Sequence, residues 1–201
     1  MQVEFRILEL LASRLCHELI SPVGAINNGV ELMGEDDPEF AKQAAALIAQ
    51  SAKKAGARLQ FYRFAYGAGG TGAGTPPPKE LVAALLDGGK VTCDWTASLD
   101  ALPVEWQKLA CNLALLAAEM LPRGGKVSLA AVGKGIEAVA SGEAVNLTGE
   151  LKAALGPHSD PAAIGARTVH GYFTACYARH LGAKLTLAES DQRATFTIAP
   201  G

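Results

Sequence analysis

The stretch YGAGGTGAGTPPPKE, residues 66–80, constrains the fold of this 201-residue chain more than any other segment. It passes from a run of glycine, alanine and threonine into three successive prolines at residues 76–78. Glycine-rich sequence is flexible and proline has no backbone N–H, so neither a helix nor a strand can continue through this stretch. We therefore predict two domains, residues 1–66 and 79–201, joined by a linker over residues 67–78.

The first domain has the pattern of two long helices. Apolar residues recur at helical spacing from about residue 2 to 33, and again as far as about Tyr66. Between them, the segment GEDDPEF offers Asp37 as an N-cap and Pro38 at the first helical position. A short loop between two long helices predicts an antiparallel helical hairpin. One hairpin has too little core to stand alone, so we expect a second copy to complete a dimeric four-helix bundle.

The second domain alternates between helical and strand patterns. The sequence predicts a two-layer α/β sandwich, with helices on one face of a mixed sheet. Trp95 and Trp106 are expected in its core. The predicted helices are KELVAALLDG, PVEWQKLACNLALLAAEML, LTGELKAAL and residues 161–181, and the predicted strands are KVTCDW, KVSLAAV, GIEAVAS, AKLTLAES and RATFTIA.

Charge and composition exclude several classes of protein. A formal net charge of −2 argues against a nucleic-acid binder, which needs a clustered basic face. Glu4, Arg6 and Glu9 interrupt the N-terminal apolar run, which argues against a signal peptide or a membrane span. The four cysteines are far apart and form no CxxC pair, so we expect reduced, mostly buried thiols in a cytoplasmic protein. Neither they nor the four histidines have the spacing of metal ligands, so no metal site is expected.

The first helix carries a histidine on the side away from its apolar stripe. At ~100° per residue, the stripe lies within roughly 20° of the position opposite His17. We expect the stripe to form the seam of the bundle and to leave His17 facing outward. The stripe comprises Leu8, Leu15, Leu19, Ile26 and Met33. The face around His17 carries Ser13, Arg14, Ser21, Gly24 and Asn28, together with the apolar Leu10 and Ile20.

The composition of this face suits contact with another protein. Small side chains permit close approach, and the two apolar residues offer surface to bury. An imidazole is partly neutral and nucleophilic near neutral pH, although an inert surface histidine is the alternative reading of His17. Glu18 is either a hydrogen-bond acceptor for the imidazole or a solvated charge. Pro22 removes the helix hydrogen bond to the carbonyl of residue 18 and predicts a kink one turn beyond His17.

The segment HELISPVGAI, residues 17–26, resembles the phosphoacceptor box of bacterial sensor histidine kinases. That box has a histidine, an acidic residue, an apolar residue, and a proline at the fifth position after the histidine. The segment CNLALLAAEMLPRGGKVSLAA resembles the Asn-box region of the kinase ATP-binding domain, with Asn112 on its first asparagine and Gly124-Gly125 on its glycine pair. Leu116 stands where the second asparagine belongs. HGYFTACYARHLGAKLTLAESDQRATFTIAP resembles the end of that domain, but the Asp-x-Gly-x-Gly and Gly-x-Gly-x-Gly boxes are missing from the sequence.

A phosphoacceptor hairpin joined to a degenerate ATP-binding domain is the pattern of the ChpT-type histidine phosphotransferases. RLCHELISPVGAINNG, residues 14–29, resembles the phosphoacceptor region of that family. The resemblance implies a homodimeric intermediate of a bacterial phosphorelay. Such proteins move phosphoryl groups between the receiver domains of a hybrid histidine kinase and of response regulators that control the cell cycle.

The resemblance also implies roles for individual residues. His17 would be the phosphoacceptor, and Glu18 its orienting or acid–base partner. The chain itself would bind no cofactor, and Mg²⁺ would sit on the partner receiver domain. Two alternatives stay open: an ATP-dependent histidine kinase with divergent boxes, and a scaffold that binds receivers without transferring phosphate. The residues expected to bind receivers are Leu10, Ser13, Arg14, Ile20, Ser21, Gly24 and Asn28.

Overall fold

The computed structural model describes residues 4–34, 37–68 and 74–201. The start of the predicted first helix, part of the predicted interhelical loop at residues 35–36, and residues 69–73 of the predicted linker lie outside the described residues. The helices are α1 (Phe5–Leu32), α2 (Pro38–Tyr66), α3 (Pro78–Leu86), α4 (Val104–Glu119), α5 (Gly149–Leu155) and α6 (Val169–His180). The strands are β1 (Val91–Trp95), β2 (Gly125–Val132), β3 (Gly135–Ser141), β4 (Ala183–Ser190) and β5 (Arg193–Pro200).

Helices α1 and α2 pack against each other along their length. The start of α2 is as predicted: the Asp37 side chain accepts a hydrogen bond from the backbone N–H of Glu39 at 2.8 Å, and Pro38 occupies the first turn. The two helices approach closely at Gly29. A Cβ atom there would lie 2.6 Å from Cγ1 of Ile48 and 3.2 Å from the carbonyl oxygen of Ala44.

The C-terminal domain has one five-stranded sheet in the order β1-β2-β3-β5-β4. Strands β1 and β2 are parallel, and the other neighbouring pairs are antiparallel. Helix α4 packs over β2 and β3, with α3 beside β1 and α6 beside β4. The predicted two-layer α/β sandwich is therefore confirmed. Trp95 is 4% exposed, and Trp106 packs against the same core.

The end of α2 is part of the core of the C-terminal domain. Phe61, Phe64 and Ala65 are at most 2% exposed and belong to the same buried cluster as Leu109 and Leu113 of α4. Burial of each large apolar side chain stabilises a fold by about 1.5–3 kcal/mol. The hairpin is thus joined to the α/β domain by shared core packing in addition to the covalent connection.

The predicted helix over residues 161–181 is wrong at its start. A short 3₁₀ helix, Pro161–Ala163, is followed by a turn, and α6 begins only at Val169. In that turn the hydroxyl oxygen of Thr168 accepts a hydrogen bond from the backbone N–H of Gly165 at 3.1 Å. Threonine and glycine favour a turn rather than a helix here, because the threonine side chain competes with the backbone hydrogen bonds of a helix.

The prediction that most cysteines are buried is also wrong. All four are free thiols, but only Cys111 is buried; Cys93 and Cys176 are half-buried, and Cys16 is exposed on α1 next to His17. In residues 4–34, 37–68 and 74–201, no helix combines the length and the apolar character needed to cross a membrane.

We expect Gly29→Ala to weaken the hairpin, because the added methyl group would force α1 and α2 apart. The free energy of unfolding should fall by about 1–3 kcal/mol. Gly56→Ala is the matched control, since a Cβ atom at Gly56 meets nothing within 4 Å. It should raise stability by about 0.5–1 kcal/mol, the usual gain for alanine over glycine inside a helix. Urea denaturation of the two variants decides the matter, and equal stabilisation by both would contradict the close approach at Gly29.

Candidate functional site

The structure places His17 on an exposed strip of α1. Ser13, Ser21 and Asn28 on the same face are exposed, as is Ile20 at 63%. Gly24 is half-buried, and a Cβ atom there would meet nothing within 4 Å, so the strip is open to another molecule at that point. The exposed surface beside this strip also includes Val23, which is 46% exposed and which the sequence analysis did not single out.

Two of the residues predicted to bind receivers lie elsewhere. Leu10 is half-buried and packs with Ile7 against Ile164 and Val169 of the C-terminal domain, so its predicted exposure is wrong. The guanidinium of Arg14 forms an ion pair with Glu119 at the end of α4, and its side chain is only 14% exposed. Helix α1 therefore presents one edge of the predicted face to its own C-terminal domain.

The carboxylate of Glu119 joins α1 to α6. One carboxylate oxygen accepts from Arg14, and the other lies 3.5 Å from Nδ1 of His170, whose side chain is fully buried. Burial acts to raise the pKa of Glu119, but the ion pairs and hydrogen bonds with His170 and Arg14 outweigh it, so this pKa lies below its ordinary value. Arg14 is three residues before His17, and this contact therefore ties the turn preceding the candidate nucleophile to the α/β domain.

The same network continues through Asn112. Its side-chain amide nitrogen donates to the carbonyl oxygen of Ala65 at 3.1 Å and to that of Lys108 at 2.9 Å. These two bonds leave the amide oxygen facing Nε2 of His170, at 3.3 Å. Asn112 is fully buried, and it connects the last turn of α2 with α4 and α6. The structure therefore uses every polar atom of the Asn112 side chain.

Glu18 contacts α2. One carboxylate oxygen lies 3.3 Å from Nη2 of Arg58, and the backbone carbonyl of Glu18 accepts a hydrogen bond from Nη1 of the same arginine. The predicted hydrogen bond from the imidazole of His17 to Glu18 would require the carboxylate to turn away from Arg58. Helix α1 continues through Pro22, which is buried. The missing N–H of Pro22 is the reason that the carbonyl of Glu18 is free to accept from a side chain.

A cleft of about 370 Å³ separates α2 from the C-terminal domain beside Glu18. Burial raises the pKa of the Tyr62 hydroxyl in its wall to about 12, and the nearby Glu18 carboxylate acts in the same direction. Charges of both signs line the cleft, so it has no single preferred ligand charge. Its charged lining residues are Glu18, Lys54, Arg58, Asp87, Lys90 and Glu119.

Comparison with known proteins defines the family of this chain. A family model described as the histidine phosphotransferase C-terminal domain matches residues 78–193, more than half of the chain. The chain belongs to the histidine phosphotransferase family, as predicted from the sequence. Its fold is thus that of a phosphotransferase family.

Individual relatives are similar over most of the chain. Protein phosphotransferase ChpT of Brucella abortus (strain 2308) is 32% identical over 198 residues, which cover 94% of this chain and 92% of that protein. A solved structure of a bacterial phosphotransferase has a TM-score of 0.78 and 29% identity, covering 99% of this chain and 98% of its own. The likeness to a blue-light-activated histidine kinase of Erythrobacter litoralis is weaker, with a TM-score of 0.42 and 12% identity over 92% of this chain and 58% of that one.

Sequence reasoning missed Arg58, Glu119 and His170. Glu119 and His170 lie 51 positions apart and Arg14 and Glu119 lie 105 apart, so no local pattern connects them. A donor such as Arg58 could have been anticipated from the sequence, because a proline inside a helix leaves a carbonyl that needs another hydrogen-bond donor.

We expect Glu119→Gln to destabilise the protein at pH 7 by about 1–3 kcal/mol, because Arg14 and His170 lose their charged partner. Because the pKa of Glu119 is lowered in the folded state, its ionised carboxylate stabilises the fold at pH values above its ordinary pKa of 4.5. That stabilisation is lost as the pH falls through the lower pKa of the folded state. The difference between wild type and variant should therefore shrink below about pH 4.5. Thermal unfolding from pH 3 to 7 measures it. The exposed Glu31→Gln is the control, and a pH-independent difference for Glu119→Gln would contradict the ion-pair assignment.

Proposed function

We propose that the chain is a phosphorelay intermediate in which His17 accepts a phosphoryl group from an aspartate of one receiver domain and passes it to another. The observation that carries this proposal is the exposed His17 on an open strip of α1 in a histidine phosphotransferase. His170 is buried within the polar network and is unavailable to a partner. The exposed His158 and His180 lie on the C-terminal domain, outside the segment that resembles the phosphoacceptor box.

The transfer step needs one nucleophilic nitrogen and a well-placed phosphoryl group. A ring nitrogen of neutral His17 donates its lone pair to phosphorus, the P–O bond to the aspartate breaks, and the aspartate leaves as a carboxylate. The proton on the other ring nitrogen stays on the imidazole. Phosphoryl transfer depends mainly on positioning and on charge stabilisation, and Mg²⁺ on the receiver would supply part of the charge stabilisation. The predicted orienting or acid–base role of Glu18 would require its carboxylate to leave Arg58, so the pairing with Arg58 favours a transfer step in which Glu18 stays paired.

We further propose that the chain does not phosphorylate itself from ATP. Asn112 occupies the position of the first asparagine of the kinase Asn box, yet its amide is committed to Ala65, Lys108 and His170. Leu116, at the position of the second asparagine, is 2% exposed in the core. Both observations support the proposal that the C-terminal domain has kept the architecture of an ATP-binding domain and uses it for packing and docking.

A second copy of the chain is the proposed cover for the apolar side of the hairpin. A groove of about 510 Å³ runs between α1 and α2, on the side opposite His17, with Leu15, Leu19, Leu59 and Tyr66 in its walls. Leu59 is 54% exposed, Leu8 and Met33 at the predicted seam are at least 50% exposed, and so is Val30 on the same helix. Apolar side chains exposed in this number along one hairpin favour a bundle between two copies.

Receiver domains are the proposed partners of the strip around His17, with Ser13, Ile20, Ser21, Gly24 and Asn28 in contact with them. A cytoplasmic location and a role in cell-cycle control follow from the family resemblance and belong to the same proposal.

The deciding test of the proposed function is a transfer assay with a purified, phosphorylated receiver domain. We expect wild type and His158→Ala to acquire acid-labile, base-stable phosphate, and His17→Ala to acquire none, because the nucleophile is gone. Incubation with ATP alone should label none of them. Label arriving directly from ATP would show a kinase, and receiver binding without transfer to wild type would show a scaffold.

We expect Leu59→Glu to weaken the dimer, because two charges would be buried in an apolar seam. The dissociation constant should rise by about 100-fold or more. Val132→Glu is the control, since Val132 is equally exposed, at 54%, but lies at the end of β2. Sedimentation velocity across a concentration series distinguishes the two variants. Identical behaviour of Leu59→Glu and wild type would place the dimer interface elsewhere.

A further inference from the structure

Pro22 leaves a defect in α1 directly beside the candidate nucleophile. A proline has no backbone N–H, so the carbonyl of Glu18, four residues earlier, lacks the donor that continues the helix. The proline ring also pushes on that same carbonyl. Glu18 follows His17 in the chain, so its carbonyl lies in the same helical turn as the imidazole.

Arg58 of α2 compensates for this defect. Its Nη1 donates to the orphaned carbonyl of Glu18, and its Nη2 lies 3.3 Å from the carboxylate of the same residue. The Arg58 side chain is 31% exposed and the Glu18 side chain 38% exposed, so the pair lies at the mouth of the cleft and not in bulk solvent. A planar guanidinium can serve both oxygens at once, whereas the ammonium of a lysine is a point charge without this fork geometry.

We propose that Arg58 is a positioning residue for phosphoryl transfer, which holds the turn of α1 at His17 and neutralises the Glu18 carboxylate beside it. This inference rests on the proposed function of His17. Arg58 acts through Glu18, with no requirement that it touch the phosphoryl group.

Two consequences of this contact bear on the reaction. The first is geometric: the turn that carries His17 is fixed against α2, so the imidazole meets the incoming phosphorus in a constant position. The second is electrostatic. An unpaired carboxylate next to His17 would repel a negatively charged phosphoryl group, and pairing with Arg58 removes most of that repulsion.

The test is single-turnover transfer from a phosphorylated receiver domain, measured over a range of phosphotransferase concentrations. This design separates the maximal transfer rate from the concentration that gives half of it. Arg58→Gln should lower the maximal rate by about 10–100-fold, since misplacement by about 1 Å has effects of this size. The half-saturating concentration should change by about threefold or less, because docking uses the exposed strip.

Matched variants show which contact is responsible. Arg58→Lys keeps the charge but not the two-pronged geometry, so its rate should fall between those of wild type and Arg58→Gln. Lys54→Gln removes a positive charge from the same cleft and from the same helix, one turn earlier, without touching Glu18, and should leave the maximal rate unchanged. Circular dichroism and thermal unfolding of each variant establish that the compared proteins are folded. If Arg58→Gln fails to fold, the comparison is made with Arg58→Lys.

A double-mutant cycle with Pro22→Ala separates positioning from a general surface effect. Alanine at position 22 restores the N–H that bonds the Glu18 carbonyl, so Arg58 becomes partly redundant. The rate loss caused by Arg58→Gln should then shrink by about threefold or more in the Pro22→Ala background. An unchanged loss in that background would show that Arg58 does not act by supporting the Glu18 carbonyl. A loss confined to the half-saturating concentration would make Arg58 a docking residue. Either result would overturn the inference.

The outcomes also separate this inference from the function on which it rests. Should His17→Ala still accept label, the proposed function is wrong and the role of Arg58 is rejected with it. Should label require His17 while Arg58→Gln transfers at the wild-type rate, the proposed function stands and only the role of Arg58 is rejected.

Discussion

Burial of the last turns of α2 in the α/β core determines how the rest of the molecule is arranged. Phe61, Phe64 and Ala65 pack with residues of α4 and the sheet, so the hairpin cannot move as a separate body without opening that core. Separating the two parts would expose several large apolar side chains at about 1.5–3 kcal/mol each. The placement of His17 relative to the C-terminal domain therefore follows from core packing and not from the glycine- and proline-rich connection.

The polar network at the same junction fixes the relative orientation of the packed helices. Apolar contacts alone tolerate small rotations, but Asn112, His170 and Glu119 must keep their bonds to the Ala65 carbonyl and to Arg14, because a buried polar group without a partner is costly. The network begins at the end of α2 and finishes three residues before His17. It thus fixes α1 and α2 to the α/β domain at two points, and Arg58 adds a third contact between α1 and α2 themselves.

The sequence predicts those parts of the structure whose signals are local. Helical spacing, the Asp37 cap and alternating strand patterns predict the hairpin, the sheet and the outward direction of His17, since each depends on neighbours a few residues apart. Leu10 and Arg14 lie on the His17 face of the helical wheel and were therefore predicted to contact a partner. The wheel cannot show that they contact a domain that begins more than sixty residues later. The start of α6 was misplaced because a threonine hydroxyl outcompeted the helix. Arg58 was predictable in principle, from the donor that Pro22 removes.

The residues that resemble the kinase ATP-binding boxes have packing roles in this structure. Gly124 lies just before β2 and Gly125 is its first residue; both have positive φ, of 97° and 147°, and a Cβ on Gly124 would lie 2.6 Å from the carbonyl oxygen of Lys90. Only glycine fits this turn readily. Asn112 is required by the carbonyl at the end of α2, and Leu116 fills the core. The amide nitrogen of Asn112 holds the Ala65 carbonyl and its amide oxygen faces Nε2 of His170, so both ends of the side chain take part in fixing the hairpin to the α/β domain.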